Sequence, residues 1–183
     1  MIATIDFETL DTKPSTYVLS CALTAFDIKE TNTWEELEAN SVYVIFDKRG
    51  QSMRTRSEDT MSWWKQQTDL AWNLTTIPND EDYTYPLHCG LLKINSWIKR
   101  NKIDSLVGNG INFDNAILSN ICDQTKEPYP LPYWSDLDLR TMKAFAKCEK
   151  LNFPKDKLQH YALHDSIYEA MCAQAYYNSI HSE

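Results

Sequence analysis

Basic residues are in short supply. Eighteen lysines and arginines stand against 26 aspartates and glutamates, a formal net charge of −8. That balance argues against a broad basic face for an anionic partner, which would have to be met locally, through bound cations above all. The clusters Lys48-Arg49, Arg54 with Arg56, and Lys99-Arg100 with Lys102 read as solvated surface, with a path for an anionic strand as the alternative. Cysteine is also sparse. Cys21, Cys89, Cys122, Cys148 and Cys172 are odd in number, widely scattered and form no C-x-x-C pair, so packed thiols are expected rather than disulfides or a zinc site. No apolar run is long enough to cross a bilayer, and no basic segment followed by an apolar stretch opens the chain. A cytoplasmic protein with no membrane partner is expected. Linkers, low-complexity tracts and internal repeats are missing too, so residues 1–183 read as one domain able to bury a core.

What is there begins with a short β-branched run, Met1-Ile2-Ala3-Thr4-Ile5-Asp6-Phe7-Glu8. On a strand, side chains alternate, so Asp6 and Glu8 point one way while Phe7 packs on the other face. Two carboxylates held that close repel each other unless something positive lies between them, and a divalent cation is the simplest partner. Tyr17 to Phe26 and Val42 to Phe46 are two further strand-like runs, and the three together predict an antiparallel meander. The polar, Glu-rich Lys29 to Asn40 reads as a loop and Asp47 to Gln51 as a turn.

Ser57 predicts a capped helix start leading into Trp63-Trp64. Two adjacent tryptophans cannot both face a core; partial burial of both is the default, and a flat surface for a ring-shaped ligand is the alternative. His88 to Lys99 has helical spacing and ends at Asn101. Ile103 to Val107 reads as a strand broken by Gly108-Asn109-Gly110. Asp114 then opens a helix whose apolar stripe is Ala116, Ile117, Leu118 and Ile121. After the proline-rich loop from Glu127 to Trp134, Ser135 or Asp136 would cap a helix from Leu137 to Lys147. Lys150 to Gln159 looks irregular, and a last helix runs from near Ala162 to Ile180, with His160 just ahead and Asp165 in its first turns. His88 and His164 read as surface or satisfied histidines.

Singly, these acids mean little: D-x-E is common, and a carboxylate at a helix start is usually a cap or a partner of the helix dipole. Their joint placement means more. Asp6-Phe7-Glu8-Thr9, Asn109-Gly110-Ile111-Asn112-Phe113-Asp114 and His160-x4-Asp165 resemble the three motifs of the DEDDh 3′-5′ exonucleases in the ribonuclease-H-like (DnaQ-like) superfamily, most closely the RNase T-like group that includes phage exodeoxyribonuclease A and bacterial 3′-5′ exoribonucleases. Trp63-Trp64-Lys65-Gln66 and Asp138-Leu139-Arg140-Thr141 are similar to that group as well. The resemblance runs from residue 2 to about residue 175. It implies an α/β ribonuclease-H-like fold, a mixed central β-sheet flanked by helices.

The resemblance further implies that Asp6, Glu8, Asp114 and Asp165 hold two Mg2+ or Mn2+ ions, with Asp6 bridging. Oxygen-only ligation suits those ions. His160 would be the general base, its ordinary pKa of about 6.5 suiting the task. Tyr161-x3-Asp165 also matches the tyrosine variant of the third motif, but a phenol with pKa about 10 is the poorer base. In the second motif Gly108 stands where a histidine is common, which points to backbone contacts there. Thr9, Leu10 and Asn109 would meet the terminal nucleotide, Leu10 by wedging against its base or else by packing under a loop. The implied activity is hydrolysis at the 3′ end of DNA or RNA to nucleoside 5′-monophosphates. A non-catalytic nucleic-acid-binding module on the same fold is the rival reading. Substrate sugar and oligomeric state stay open, a homodimer being one option.

Overall fold

The computed structural model describes residues 1–76 and 84–181. Six strands form one mixed sheet: β1 (Ile2–Thr9), β2 (Val18–Phe26), β3 (Ser41–Phe46), β4 (Thr84–Tyr85), β5 (Ser105–Gly108) and β6 (Asp136–Asp138), in the order β4-β3-β2-β1-β5-β6. β1 to β3 make the expected antiparallel meander. β5 joins β1 in parallel, β6 joins β5 in parallel, and β4 joins β3 in parallel. Helices are α1 (Trp34–Ala39), α2 (Glu58–Trp64), α3 (Asp69–Thr76), α4 (Leu87–Arg100), α5 (Asp114–Thr125), α6 (Leu139–Phe145) and α7 (Ala162–His181). Among the described residues no helix is long and apolar enough to cross a membrane. All five cysteines are free thiols.

The sheet is covered on both sides, which is why all nine residues of β2 are buried. Ala3, Ile5 and Phe7 of β1 pack with Leu91, Ile94 and Ile98 of α4 and Ile117, Leu118 and Ile121 of α5. The alternate residues of β1 face α7. Thr4 donates to the carbonyl of Ser166 at 2.7 Å, and the Ser166 and Thr24 hydroxyls pair at 2.8 Å. Small residues on α7, Ala162, Ser166, Ala170 and Ala173, let the helix lie close against β1 and β2. That approach decides where the carboxylates of α7 fall relative to those of β1.

Two stretches differ from expectation. Lys29 to Asn40 is not a loop throughout, since it holds α1, started by a capping box in which Thr33 and Glu36 satisfy each other's backbone N–H groups. Trp34 and Leu37, three apart, anchor that one-and-a-half-turn helix in the core. The helix expected over Leu137 to Lys147 is shorter. Residues 136–138 pair with β5 as an edge strand, and Asp138 rather than Ser135 or Asp136 caps α6, accepting from the Thr141 N–H at 3.0 Å. The edge of β5 requires hydrogen-bond partners, and that need outweighs the local helical pattern. α3 and β4 have no counterpart in the sequence reading. Arg54, expected on the surface, is buried: it donates to the carbonyls of Thr16 and Pro14 and to the side chains of Asn120 and Gln124.

Candidate active site

The β1–β5 ladder stops at Ile5 opposite Gly108, which leaves the Phe7 N–H without a strand partner. The Asp114 carboxylate takes it, Oδ1 accepting at 3.0 Å. One side chain thus ties the start of α5 to the end of β1. Gly108 permits the junction: a Cβ there would sit 2.2 Å from Asn115 Oδ1. Gly110, at φ +109°, turns the chain beside Arg140 in a conformation that favours glycine. At the end of β1 the register with β2 slips between Glu8 and Thr9, a bulge that re-aims the strand. Beyond it Thr9 Oγ1 donates to the Asp11 carbonyl, and Trp64 Nε1 donates to the Thr9 carbonyl at 2.8 Å.

These elements surround a cavity of about 870 Å³ lined by Asp6, Glu8, Asp114, Asp165 and His160, with Thr9, Asn109, Trp63, Arg140 and Glu169 also on its wall. Its size suits a nucleotide-sized ligand. Glu169 thus joins the four motif carboxylates on the cavity wall, and Asp11 and Asp59 line the cavity as well. Glu169 was not singled out in the sequence; the signal is its place one turn after Asp165, which puts both acids on one face of α7. Donor atoms of Glu8, His160 and Asp165 all lie within 4.8 Å of one another.

Buried acids in such company resist ionisation. Burial holds the Asp6 carboxyl well above its ordinary range, and Glu169 is its strongest charged neighbour, ahead of Glu8. Glu8 is raised by burial and then by Asp165 and Asp114, and Glu169 by burial and then by Asp114 and Asp165. Asp114 rises to about 7 through burial, held back by the Phe7 N–H. Asp165 also rises to about 7 through burial, held back by the N–H groups of His160 and Tyr161. Asp6 Oδ2 and Glu169 Oε2 are buried with no hydrogen-bond partner among the described residues. A cluster of carboxylate oxygens, two of them without a hydrogen-bond partner, fits a hard divalent cation, which would supply the missing positive charge.

His160 stands at φ +60°, the left-handed region that few non-glycine residues occupy. Its N–H donates to Asp165 Oδ2 at 2.7 Å, and Thr75 Oγ1 donates to its carbonyl at 3.4 Å. The turn presents the ring to the cavity, edge-on to Trp63 at 4.7 Å between centroids. Partial burial lowers the pKa of the imidazole. Tyr161 packs elsewhere, edge-on to Tyr43 at 5.0 Å and to His164 at 4.8 Å. The two tryptophans divide their roles. Trp64 is buried and Trp63, 38% exposed, borders the cavity. Leu10 is not brought to the acids, since it packs with Tyr17, Leu19 and Trp64. His88 pairs with Glu127 at 2.7 Å, and His164 Nδ1 accepts from the Leu158 N–H.

A mixed sheet flanked by helices, with acids from β1, α5 and α7 gathered beside a histidine, is an α/β arrangement suited to cation-assisted hydrolysis rather than to binding alone. The Rv2179c-like 3′-5′ exoribonuclease domain family matches residues 1–177, and the chain belongs to that family. That family is one of 3′-5′ exonucleases, and the fold is shared with a DEDDh family member, in keeping with what the resemblance of the motifs implies. Among solved structures, the nuclease domain of 3′hExo, a DEDDh family member bound to rAMP, is similar at a TM-score of 0.60 and 16% identity, over 94% of this chain and 89% of that one. Product-bound exonuclease I is similar at 0.57 and 14% identity, over 97% of this chain and 42% of that one. E. coli exonuclease I in complex with a dT13 oligonucleotide gives 0.55 and 13%, over 95% and 39%. The chain spans about two fifths of exonuclease I, and at these identities the likeness is one of fold. Among curated proteins, none matches the chain by sequence.

Proposed function

We propose that this chain shortens nucleic acid from the 3′ end one nucleotide at a time, hydrolysing the terminal phosphodiester and releasing nucleoside 5′-monophosphates. RNA is the favoured substrate, because the family description is that of an exoribonuclease and the similar 3′hExo domain holds rAMP. The cytoplasm is the proposed compartment. Asp6, Glu8, Asp114 and Asp165 would hold two divalent cations, magnesium or manganese. The observation that carries this reading is the convergence of these acids with His160 on one cavity. Cations bound there supply Lewis-acid stabilisation of the charge that develops on the phosphoryl and leaving oxygens in an in-line displacement.

The protein's own side chains do the remaining work. His160 takes the proton of the attacking water at its ring nitrogen, and partial burial, by lowering its pKa, keeps the imidazole neutral and ready to accept near pH 7. Asp165 positions it by binding its backbone N–H. Trp63 backs the ring and offers its open face to the terminal base. Thr9 and Asn109 would meet the terminal nucleotide from two neighbouring strands of the sheet, the end of β1 and the turn after β5.

The test is product analysis on 5′-labelled RNA and DNA oligomers with magnesium, manganese or EDTA. The expected result is a ladder of single-nucleotide steps, abolished by EDTA and by a blocked 3′ hydroxyl, and faster on RNA. Internal cleavage, or turnover indifferent to EDTA, would overturn the reading.

A further inference from the structure

Glu169 is more than the motif set asks of α7. It is 4% exposed, lies at i+4 from Asp165 on the same helix face, and lines the acid cavity. Its Oε2 has no hydrogen-bond partner among the described residues, although the Asn109 side chain meets the same carboxyl. Arg140, whose Nε reaches Asn109 Oδ1 at 3.4 Å, forms no direct ion pair with it. A packing role does not explain an acid here, because the neighbouring core positions of α7 are filled by Ile167, Ala170 and Ala173, and an apolar residue would bury without penalty. A buried carboxylate left short of a partner marks a position for a ligand.

The unpartnered oxygens also have a pattern. Asp6 Oδ2 and Glu169 Oε2 are both unpartnered on the wall of one cavity. Glu169 and Asp6 stand outside the tight group made by Glu8, His160 and Asp165. We propose that Glu169 is a fifth carboxylate of the cation centre, adding a negative ligand to Asp6, Glu8, Asp114 and Asp165 on the wall of the same cavity. This rests on the reading of the cavity as a divalent-cation site.

Glu169→Gln is the discriminating variant, since glutamine keeps the shape and an oxygen able to accept from the Asn109 amide while removing the charge. Manganese alone, titrated calorimetrically into the substrate-free protein, is the readout, accompanied by the melting temperature of the metal-free protein. Wild type is expected to take up two ions. In Glu169→Gln one uptake should weaken by about 10- to 100-fold, while the metal-free protein melts higher because a repelling charge has gone. Glu169→Asp, which retains a carboxylate, should recover part of the lost affinity. Isotherms for Glu169→Gln that superimpose on wild type would overturn the assignment, as would equal losses in the Gln and Asp variants, the mark of a purely structural residue. Failure of wild type to take up manganese would overturn the cation reading itself, and this inference with it.

Discussion

His160 shows how much a single residue is made to hold. A left-handed φ in a residue with a Cβ costs about 1–2 kcal/mol, and here two hydrogen bonds, from Thr75 and to Asp165, retain it. Asparagine tolerates the same backbone conformation. His160→Asn should therefore preserve the fold and manganese uptake while lowering kcat by about 10²- to 10⁴-fold, the usual worth of a general base. Tyr161→Phe should leave kcat unchanged, because that ring is engaged with Tyr43 and His164; steady-state rates on an RNA oligomer check both. The reverse outcome would make Tyr161 the base. At this scale the acids at 6, 8, 114 and 165 stood out in the sequence only through the resemblance of their three motifs, since singly each is an ordinary strand-end or helix-start carboxylate. Glu169 did not, because an acid four residues after another on a helix is the ordinary composition of a solvated face.

Elements meet in this protein through single side chains that fill broken ladders. Asn115 lies against Gly108 so closely that Gly108→Ala should displace it and, with it, the start of α5 that carries Asp114. A loss of about 1–3 kcal/mol in denaturant unfolding is expected, and Gly108→Ala combined with Asn115→Ala should recover part of it; additive losses would mean that the two do not clash. Arg54 likewise joins the turn after β1 to α5 through four acceptors. Arg54→Ala should cost about 2–4 kcal/mol, whereas Arg56→Ala, which removes only a cation–π contact of 4.3 Å with Tyr17, should cost about 1 kcal/mol or less. The strand meander, α4, α5 and α7 were legible from periodicity. The elements misread or missed were α3, with eight residues, and three shorter ones: α1 has six residues, β6 three and β4 two, too few for a period to declare itself, so that capping chemistry and the sheet's need for edge partners decided those three. The difference in status between Arg54 and Arg56 is a tertiary matter that no local pattern contains.

Taken whole, the molecule carries a net charge of −8 and gathers Asp6, Glu8, Asp114, Asp165 and Glu169 on the wall of one cavity. The metal-free fold works against itself there, and the sign of the effect follows from linkage. Unfolded, these acids ionise near pH 4. Folded, Asp114 and Asp165 keep their protons to about pH 7, and Asp6, Glu8 and Glu169 are also raised. The folded state therefore binds more protons, and stability falls as pH rises from the unfolded values through the folded ones. His160 and His164, both lowered by burial, act in the opposite sense, but their stability contribution is lost only as pH falls below about 6.5. Carboxyls held low by hydrogen bonds, such as Asp11 and Asp47, act lower still. Between pH 6.5 and 8 the acid cluster should govern.

Thermal unfolding across that window, with EDTA and then with manganese, measures the conflict and its relief directly. The melting temperature in EDTA should drop as pH rises from 6.5 to 8. Manganese at about a hundredfold excess over its Kd should raise it by roughly 5–10 °C, and by more at pH 8 than at pH 6.5. A metal-free melting temperature that climbs over this range, together with no manganese-dependent shift at either end, would contradict a centre built from mutually repelling carboxylates that hold divalent cations.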